Sequence, residues 1–321
     1  NTTLTGNVRE SGRRLDEALK SGGDNLAGIG STLEGLDIDQ FPYEYTFEKA
    51  WNIAVDEQEW IDRLADRHVG AVSAPARKAW HLLYDDIFVQ VPRTLGILPG
   101  FRPQLGNNHD KRTSNEYDNT ILLQVWKLLL DVPACQRDAY NIDLVMVGRQ
   151  LLGNYFLMVK QEFDRLYGER NVPALQAKAA EMREILVDLE ALNAFHSHAS
   201  LDTWIDEARN MGTTDALKDY YEKNARNLIT TWGGNLNDYA SRTWAGLVKS
   251  YYAGRWEIYF DAVITAAEQG AELDSQALNQ KLSAFEQAWI ESTEPVVIER
   301  NGTLLDTSRE LLKKYEKKIG H

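Results

Sequence analysis

From residue 56 onward, apolar residues recur every three or four positions, which is the spacing of one face of an α-helix. In the stretch Tyr140–Arg170, for example, Leu144, Val147 and Leu151 fall on one face. The same periodicity predicts a series of helices over Glu57–His68, from Pro75 onward, and over Asn119–Asp131, Tyr140–Arg170, Pro173–Phe195, Leu201–Met211, Asp215–Thr231, Asp274–Ser292 and Leu304–Ile319. Residues 56–321 are therefore predicted to form an all-α domain.

The first 55 residues follow a different pattern. A helix is predicted over Glu10–Lys20, a short buried strand over Asn25–Glu34, and a second helix over Tyr43–Val55. Helix–strand–helix is one step of an α/β barrel, and eight such units are needed to close one. We therefore interpret residues 1–55 as the C-terminal remnant of a TIM-type barrel, followed by the all-α domain at 56–321.

One long irregular stretch, Val91–Tyr117, interrupts the helices. A loop of this length inside a compact domain is usually functional or mobile. It contains the best local basic cluster of the chain, formed by Arg102, His109, Lys111 and Arg112. Two interpretations remain open, a solvated loop and a rim that contacts an acidic or extended glycan.

Charge and composition exclude several classes of function. The chain has 35 basic and 48 acidic residues and a formal net charge of −13, which argues against a nucleic-acid or anionic-membrane partner. Cys135 is the only cysteine, so an internal disulfide and a cysteine-based metal cluster are excluded. No run approaches the roughly 20 apolar residues of a membrane span. The first residues lack the apolar core of a signal peptide, although such a segment could have been removed.

The remaining motifs leave carboxylates as the candidates for chemistry. His196 and His198 lie two positions apart without a cysteine or clustered carboxylates beside them, so we expect no metal site. The sequence contains no G-x-S-x-G motif, no P-loop and no Rossmann glycine fingerprint. We therefore expect no cofactor and no serine or cysteine nucleophile.

The most distinctive stretch is Trp232–Trp256, which is rich in aromatic residues. Gly233 and Gly234 predict a turn because glycine adopts positive φ without steric cost. Asn235 or Asn237 is then predicted to cap a helix whose aromatic face includes Tyr239, Trp244, Tyr251 and Trp256. This pattern is typical of an aromatic core helix, but the turn Trp232–Tyr239 could also form the wall of a carbohydrate site. Composition does not separate the two interpretations.

The order of residues in this stretch resembles a known family. The pattern W-G-x-N-x-x-D-Y-A-x-x-x-x-A-G-L-V-x-x-Y-Y-x-x-R-W, which runs from Trp232 to Trp256, is similar to the C-terminal region of the α-N-acetylglucosaminidases of glycoside hydrolase family 89. Tyr140, Asp143, Arg149 and Gln150 fit the same family further upstream. The resemblance covers nearly the whole chain. It implies an exo-acting retaining hydrolase whose substrate is terminal α-linked N-acetylglucosamine.

The resemblance also implies a catalytic residue near the N-terminus. Gly28, Gly30, Glu34, Gly35, Tyr43, Glu48 and Trp51 match a family segment that carries the catalytic nucleophile, so Glu34 is expected to have that role. The flanking loop within Asp37–Gln40 departs from the family pattern. The acid/base glutamate of the family lies on an earlier barrel strand, and none of Glu44, Glu48 and Glu57 matches its motif. We therefore expect the acid/base residue on sequence outside this chain.

The family match assigns the pocket wall to the helical domain. Trp232, Leu236 and Tyr239 are expected to line the sugar site, and Asn235 is expected at the same site, where it supports the turn together with Asp238. Arg226 and Arg255 are expected to brace the interface between domains. The implied partners are an N-acetylglucosamine-terminated glycan and the N-terminal barrel portion of the same enzyme. A secreted, periplasmic or lysosomal location is expected from the resemblance.

Two other hypotheses belong to different classes. The first is a free-standing helical carbohydrate-binding or interaction module without catalysis, in which Glu34 would be dispensable. The second is a purely structural helical domain without a ligand, in which replacement of Trp232 would alter no binding.

Overall fold

The computed structural model describes residues 4–31, 40–52, 55–89, 96–106, 117–133, 135–234 and 237–320. Within these ranges the α-helices are α1 (Val8–Gly22), α2 (Phe41–Trp51), α3 (Glu57–Val69), α4 (Ala74–Leu82), α5 (Asn119–Leu130), α6 (Asp138–Gly168), α7 (Val172–Asn193), α8 (Leu201–Asn210), α9 (Asp215–Leu228), α10 (Ala253–Glu268), α11 (Ser275–Glu291) and α12 (Leu304–Ile319). Short π-helical segments at Leu83–Ile87 and Val248–Tyr252 extend α4 and precede α10. The prediction of a mainly helical domain is confirmed.

Local signals in the sequence explain where several helices begin. The carboxylate of Asp56 accepts a hydrogen bond from the Glu59 amide at the start of α3, and Asn171 caps α7 in the same way. Such caps satisfy amide groups that have no partner within the helix. Helix α3 ends at Val69 and is followed by Gly70, which has a φ of 77°. Only glycine adopts this left-handed conformation without steric cost, so the residue marks the end of the helix.

The long helix α6 forms the centre of the domain. It packs along α7 over most of its length and also contacts α5 and α3, while α10 lies against α7 and α11. Among the helices described, α6 is the one whose length and apolar composition would suit a membrane span. However, 78% of its most apolar window is buried inside the fold. Its apolar residues are therefore accounted for by packing, as in other core helices.

The predicted strand over Asn25–Glu34 is wrong for the part that the structure describes. Gly23–Asn25 form a short 3-10 helix, and residues 26–31 are irregular and partly exposed. A strand needs a neighbouring strand for its backbone hydrogen bonds, and none of the described residues provides one. Residues 32–39, which include Glu34, lie outside the described ranges.

Candidate functional site

The Trp232 turn, by which we mean residues 230–241, begins where α9 ends. The side-chain oxygen of Asn227 accepts hydrogen bonds from Thr231 Oγ1 at 2.7 Å and from the Gly233 amide at 2.9 Å. Trp232, Gly233 and Gly234 all have positive φ, of 48°, 77° and 93°. The two glycines adopt this conformation without strain, whereas a tryptophan rarely does. The chain therefore holds Trp232 in an unusual backbone conformation.

Two aromatic rings stand at the surface of this turn. The ring centroids of Trp232 and Tyr239 are 5.7 Å apart, and the planes meet at 68° in an edge-to-face arrangement. Trp232 is 42% exposed and Tyr239 is 48% exposed. Most of the other large aromatic residues of the domain are buried. A pair of exposed rings beside polar groups is typical of ligand sites, where aromatic side chains supply the contact area.

Asp238 lies near the C-terminal end of the Trp232 turn and holds that end in place. It has a φ of 62°, and its amide donates a hydrogen bond of 3.0 Å to the carbonyl oxygen of Thr230, which closes the turn. One carboxylate oxygen of Asp238 accepts from Arg255 Nη1 at 2.7 Å, and the other accepts from the backbone amide of Arg102 at 2.7 Å. The buried carboxylate thus joins three segments of the chain. We conclude that its orientation is fixed by the fold.

Arg255 is the centre of this network. Its guanidinium is fully buried and also donates to the carbonyl oxygen of Gly100 at 3.1 Å and to Glu286 at 3.3 Å. The group lies 4.5 Å from the ring centroid of Tyr251, a distance suited to a cation–π contact. Burial by itself would lower the pKa of Arg255, but Asp238, Tyr251 and Glu286 together outweigh this effect, and the pKa lies above its ordinary value. The arginine therefore stays charged and holds the Trp232 turn against α11 and the segment 98–101.

A sequence model of the family described as alpha-N-acetylglucosaminidase (NAGLU) C-terminal domain matches residues 60–314. The chain belongs to this family. Human alpha-N-acetylglucosaminidase is 27% identical over 301 residues, which cover 90% of this chain and 40% of the human protein. The family resemblance inferred from the Trp232–Trp256 stretch is thus confirmed.

Solved structures of family 89 enzymes share the fold of this chain. A family 89 glycoside hydrolase from Clostridium perfringens, in complex with 2-acetamido-1,2-dideoxynojirimycin, has a TM-score of 0.87 at 22% identity. The aligned region covers 98% of this chain and 38% of that protein. A variant of the same enzyme in complex with its substrate GlcNAc-alpha-1,4-galactose gives the same TM-score, with 99% of this chain covered. This chain therefore spans about 40% of the length of these relatives and corresponds to their C-terminal portion.

Of the four predicted sugar-site residues, the structure describes two and brings them together. Trp232 and Tyr239 form the edge-to-face pair, whereas Asn235 and Leu236 lie outside the described residues, as does the predicted nucleophile Glu34. The predicted support of the turn by Asp238 is seen in its contacts with Arg255 and Arg102. The described part of the candidate site therefore consists of the aromatic pair and of the charged side chains that support the turn.

The predicted helix through Tyr239 and Trp244 is wrong. Residues 237–246 are irregular, because Asp238, Ser241 and Gly246 all have positive φ and a right-handed helix cannot pass through them. The helical conformation begins only at Leu247. Tyr239 is therefore separated from the buried aromatic face that Tyr251 and Trp256 form, and it lies at the surface.

Arg102 does not extend from the rim as a free positive charge, because its Nη2 donates to the carbonyl oxygen of Asn279 at 2.7 Å and to Ser283 Oγ at 2.8 Å. The other members of the predicted basic cluster, His109, Lys111 and Arg112, lie outside the described residues. The Arg102 side chain instead connects the segment after Phe101 to α11, and its backbone amide supports the Trp232 turn through Asp238.

Sequence reasoning missed Glu286. Only 2% of this residue is exposed, and its carboxylate lies between Arg255 and Arg102. Burial raises the pKa of the Glu286 carboxyl, and the two arginines partly offset that effect. The signal was present in the sequence, because Glu286 follows Leu278 and Leu282 on the apolar face of α11 at helical spacing. An acid on a buried face indicates a buried cationic partner.

The histidine pair shows no metal-binding arrangement. His196 is buried, whereas His198 is exposed and has its Nε2 3.1 Å from Asp138. Across the residues that the structure describes, no group of three or more histidine, cysteine, aspartate or glutamate side chains is placed to hold a metal ion.

Proposed function

We propose that this chain is the C-terminal part of an exo-acting retaining α-N-acetylglucosaminidase, which removes terminal α-linked N-acetylglucosamine from glycans. The observation that carries the proposal is the exposed pair of Trp232 and Tyr239 on a turn that buried ions hold in place. Membership of the family supplies the reaction, and the substrate in the Clostridium perfringens complex supplies the type of linkage.

In this proposal the helical domain forms one wall of the sugar site. A pyranose has a flat face of C–H groups that packs on an aromatic ring, and Trp232 offers such a face. The planes of Trp232 and Tyr239 meet at 68°, so the two rings form a corner. Asn235 and Leu236, which lie in the turn between the two aromatic residues, are assigned to the same wall. Because the turn is held in place before the ligand arrives, little conformational entropy is lost on binding.

Residues 1–55 are assigned to the end of the catalytic barrel and residues 56–321 to the all-α domain. The match to the C-terminal domain family begins at residue 60, close to this division. Helix α2, on the N-terminal side, exposes 92% of Trp51 and 45% of Phe47. Apolar side chains exposed side by side are typical of surfaces that another part of a protein covers. The N-terminal barrel portion of the same enzyme is the partner that we assign to this surface.

Glu34 is assigned the role of nucleophile. In a retaining mechanism its carboxylate attacks the anomeric carbon, while a second carboxylic acid about 5–5.5 Å away protonates the departing oxygen. The same second residue then activates the water that releases the sugar. We assign this acid/base residue to the barrel portion that precedes the chain in its relatives. The assignment of Glu34 is supported by the family match of the residues around it.

The experiment that tests the wall is hydrolysis of an aryl α-N-acetylglucosaminide by the full-length protein with Trp232→Ala. The ring contact is lost, so kcat/KM should fall by about tenfold or more, and Trp232→Phe should recover part of it. Tyr220→Ala is the matched control. Tyr220 is 60% exposed and forms a similar edge-to-face pair with Tyr221, 5.6 Å away, on α9. Equal effects of Trp232→Ala and Tyr220→Ala would contradict the proposal.

A further inference from the structure

One side-chain oxygen, Asn227 Oδ1, contacts the chain on both sides of Trp232. It accepts a hydrogen bond from Thr231 Oγ1 at 2.7 Å and another from the Gly233 amide at 2.9 Å. Thr231 comes directly before Trp232 in the sequence, and Gly233 comes directly after it. A single acceptor at the end of α9 therefore fixes the two positions between which the exposed tryptophan is attached.

The backbone between these two contacts has a conformation that needs outside support. Trp232, Gly233 and Gly234 have φ values of 48°, 77° and 93°, so successive residues lie in the left-handed region. A tryptophan in this region is strained, and it keeps the conformation only where the surrounding structure holds it there. The amide of Gly234 donates to the carbonyl oxygen of Thr231 at 2.9 Å, which closes a tight turn around Trp232 and Gly233.

Side-chain packing does not hold this part of the turn from behind. A Cβ atom added at Gly233 or Gly234 would meet, beyond its own chain neighbours, no atom of the described residues within 4 Å. Both glycines instead border a groove of about 340 Å³ between α9 and α11, which Asn227 and Thr231 also line. The N-terminal part of the turn therefore depends on hydrogen bonds, and Asn227 Oδ1 accepts two of them.

The two aromatic residues of the turn are held by different contacts. The ion pair with Arg255 fixes Asp238, which is the residue before Tyr239. Asn227 acts on the residues before and after Trp232. The ring centroids of Trp232 and Tyr239 are 5.7 Å apart, so the pair keeps its geometry only while both sets of contacts are intact. Removal of the Asn227 oxygen would release Trp232 and leave Tyr239 anchored.

We propose that Asn227 is a positioning residue for the sugar site, because its side-chain oxygen holds the Trp232 turn in the conformation that presents the tryptophan ring to the sugar. The inference rests on the proposed function and adds a residue that acts through Trp232. Since the turn is set before the ligand arrives, less conformational entropy is lost on binding. Both contacts of Asn227 use its oxygen, so an aspartate at this position would meet the same requirement.

The test is a double-mutant cycle on hydrolysis of an aryl α-N-acetylglucosaminide by the full-length protein. Asn227→Leu removes the acceptor and should lower kcat/KM by about fivefold, the size expected for the loss of its hydrogen bonds. Asn227→Asp keeps an acceptor oxygen and should stay within about twofold of the wild-type value. In a Trp232→Ala background, Asn227→Leu should have no further effect, because the ring that it positions is gone. A merely structural role would instead lower kcat/KM by the same factor in both backgrounds.

Asn224→Leu is the matched control. Asn224 lies on α9 and lines the same groove, but its side-chain nitrogen donates to the carbonyl oxygen of Tyr220 in its own helix at 2.9 Å. It should leave kcat/KM at the wild-type value. Thr231→Val is a second and milder variant, because it removes one of the two donors to Asn227 and keeps the shape of the side chain. It should lower kcat/KM by about twofold, and only when Trp232 is present.

Two kinds of failure are distinguishable. If Trp232→Ala lowers kcat/KM but Asn227→Leu does not, or if Asn227→Leu has the same effect with and without the Trp232 ring, the positioning role of Asn227 is wrong. If the wild-type protein is inactive, or if Trp232→Ala is as active as the wild type, the proposed function has failed and the role of Asn227 fails with it.

Discussion

Arg255 and Asp238 lie 17 positions apart in the chain, yet their side chains meet at 2.7 Å in the interior of the domain. Asp238 belongs to the turn that carries Trp232, and Arg255 belongs to α10 in the core. The ion pair therefore anchors the turn that carries the exposed aromatic residues to a helix of the core. A surface loop alone would not hold Trp232 in a left-handed backbone conformation.

Replacement of Arg255 by methionine should destabilise the domain strongly. The change fills similar space but leaves the buried carboxylate of Asp238 without its cation and Glu286 with Arg102 alone. Breaking a buried ion pair in this way typically costs about 3–5 kcal/mol. Urea unfolding followed by circular dichroism measures the loss. Arg165→Met is the control, because Arg165 makes its ion pairs with Glu162 and Glu169 at the surface. An equal loss of stability in both variants would contradict the central role of Arg255.

The stability of the domain should depend on the charge of His68. Its Nδ1 lies 2.8 Å from the buried carboxylate of Asp143, and its Nε2 lies 4.0 Å from Glu44, while Arg67 is nearby on the same helix. Burial by itself would lower the pKa of His68, but Asp143 and Glu44 outweigh it, and the pKa is raised above 6.5. The stabilisation by His68 is therefore complete below about pH 6.5 and is lost as pH rises through the folded-state pKa.

Urea unfolding of the wild-type protein and of His68→Gln between about pH 5.5 and about pH 8.5 tests this dependence. The difference in unfolding free energy between the two proteins should be largest at the acidic end and should shrink as pH rises. In an Asp143→Asn background the pH dependence should largely disappear, because the charge that attracts the proton is gone. A difference that stays constant across the range would rule out the ionic role of His68.

Two glycines of α6 should respond in opposite ways to alanine. A Cβ atom at Gly148 would stand 2.6 Å from the ring of Trp126 and 2.8 Å from Leu192, whereas a Cβ at Gly168 would meet no atom within 4 Å. Gly148→Ala should therefore destabilise the domain by about 1–3 kcal/mol through overpacking. Gly168→Ala should stabilise it by about 0.4–1 kcal/mol, because the unfolded chain loses freedom. Thermal unfolding of both variants measures the two signs, and a stabilised Gly148→Ala would contradict the packing described.

The sequence was sufficient to predict the helices, because each one carries its own periodic pattern and often its own cap. The predicted helix Tyr140–Arg170 differs from the observed Asp138–Gly168 by two residues at each end. The site was harder to predict. The spacing of apolar residues typical of a helix continues through Tyr239 and Trp244. No helix forms there because Asp238 and Ser241 have positive φ, a conformation that is imposed by tertiary contacts.

Long-range partners explain the other errors. The family resemblance predicts Arg255 at an interface between domains, but its partners are Asp238, Gly100 and Glu286, which come from three separate segments of the same domain. Glu286 comes 31 residues after Arg255, and no local pattern connects the two. The pairing of Trp232 and Tyr239 could be predicted, because the family resemblance assigns both residues to the same turn. Its support depends on packing that only the fold reveals.

The most direct test of the central claim is hydrolysis of an aryl α-N-acetylglucosaminide by this chain alone and by the full-length protein, each with and without Glu34→Gln. We expect activity in the full-length protein, loss of nearly all of it in Glu34→Gln, and almost none in the chain alone, because a retaining hydrolase needs both of its carboxyl groups. Activity that is indifferent to Glu34, or absent from the full-length protein, would contradict the account and leave a helical module without catalysis.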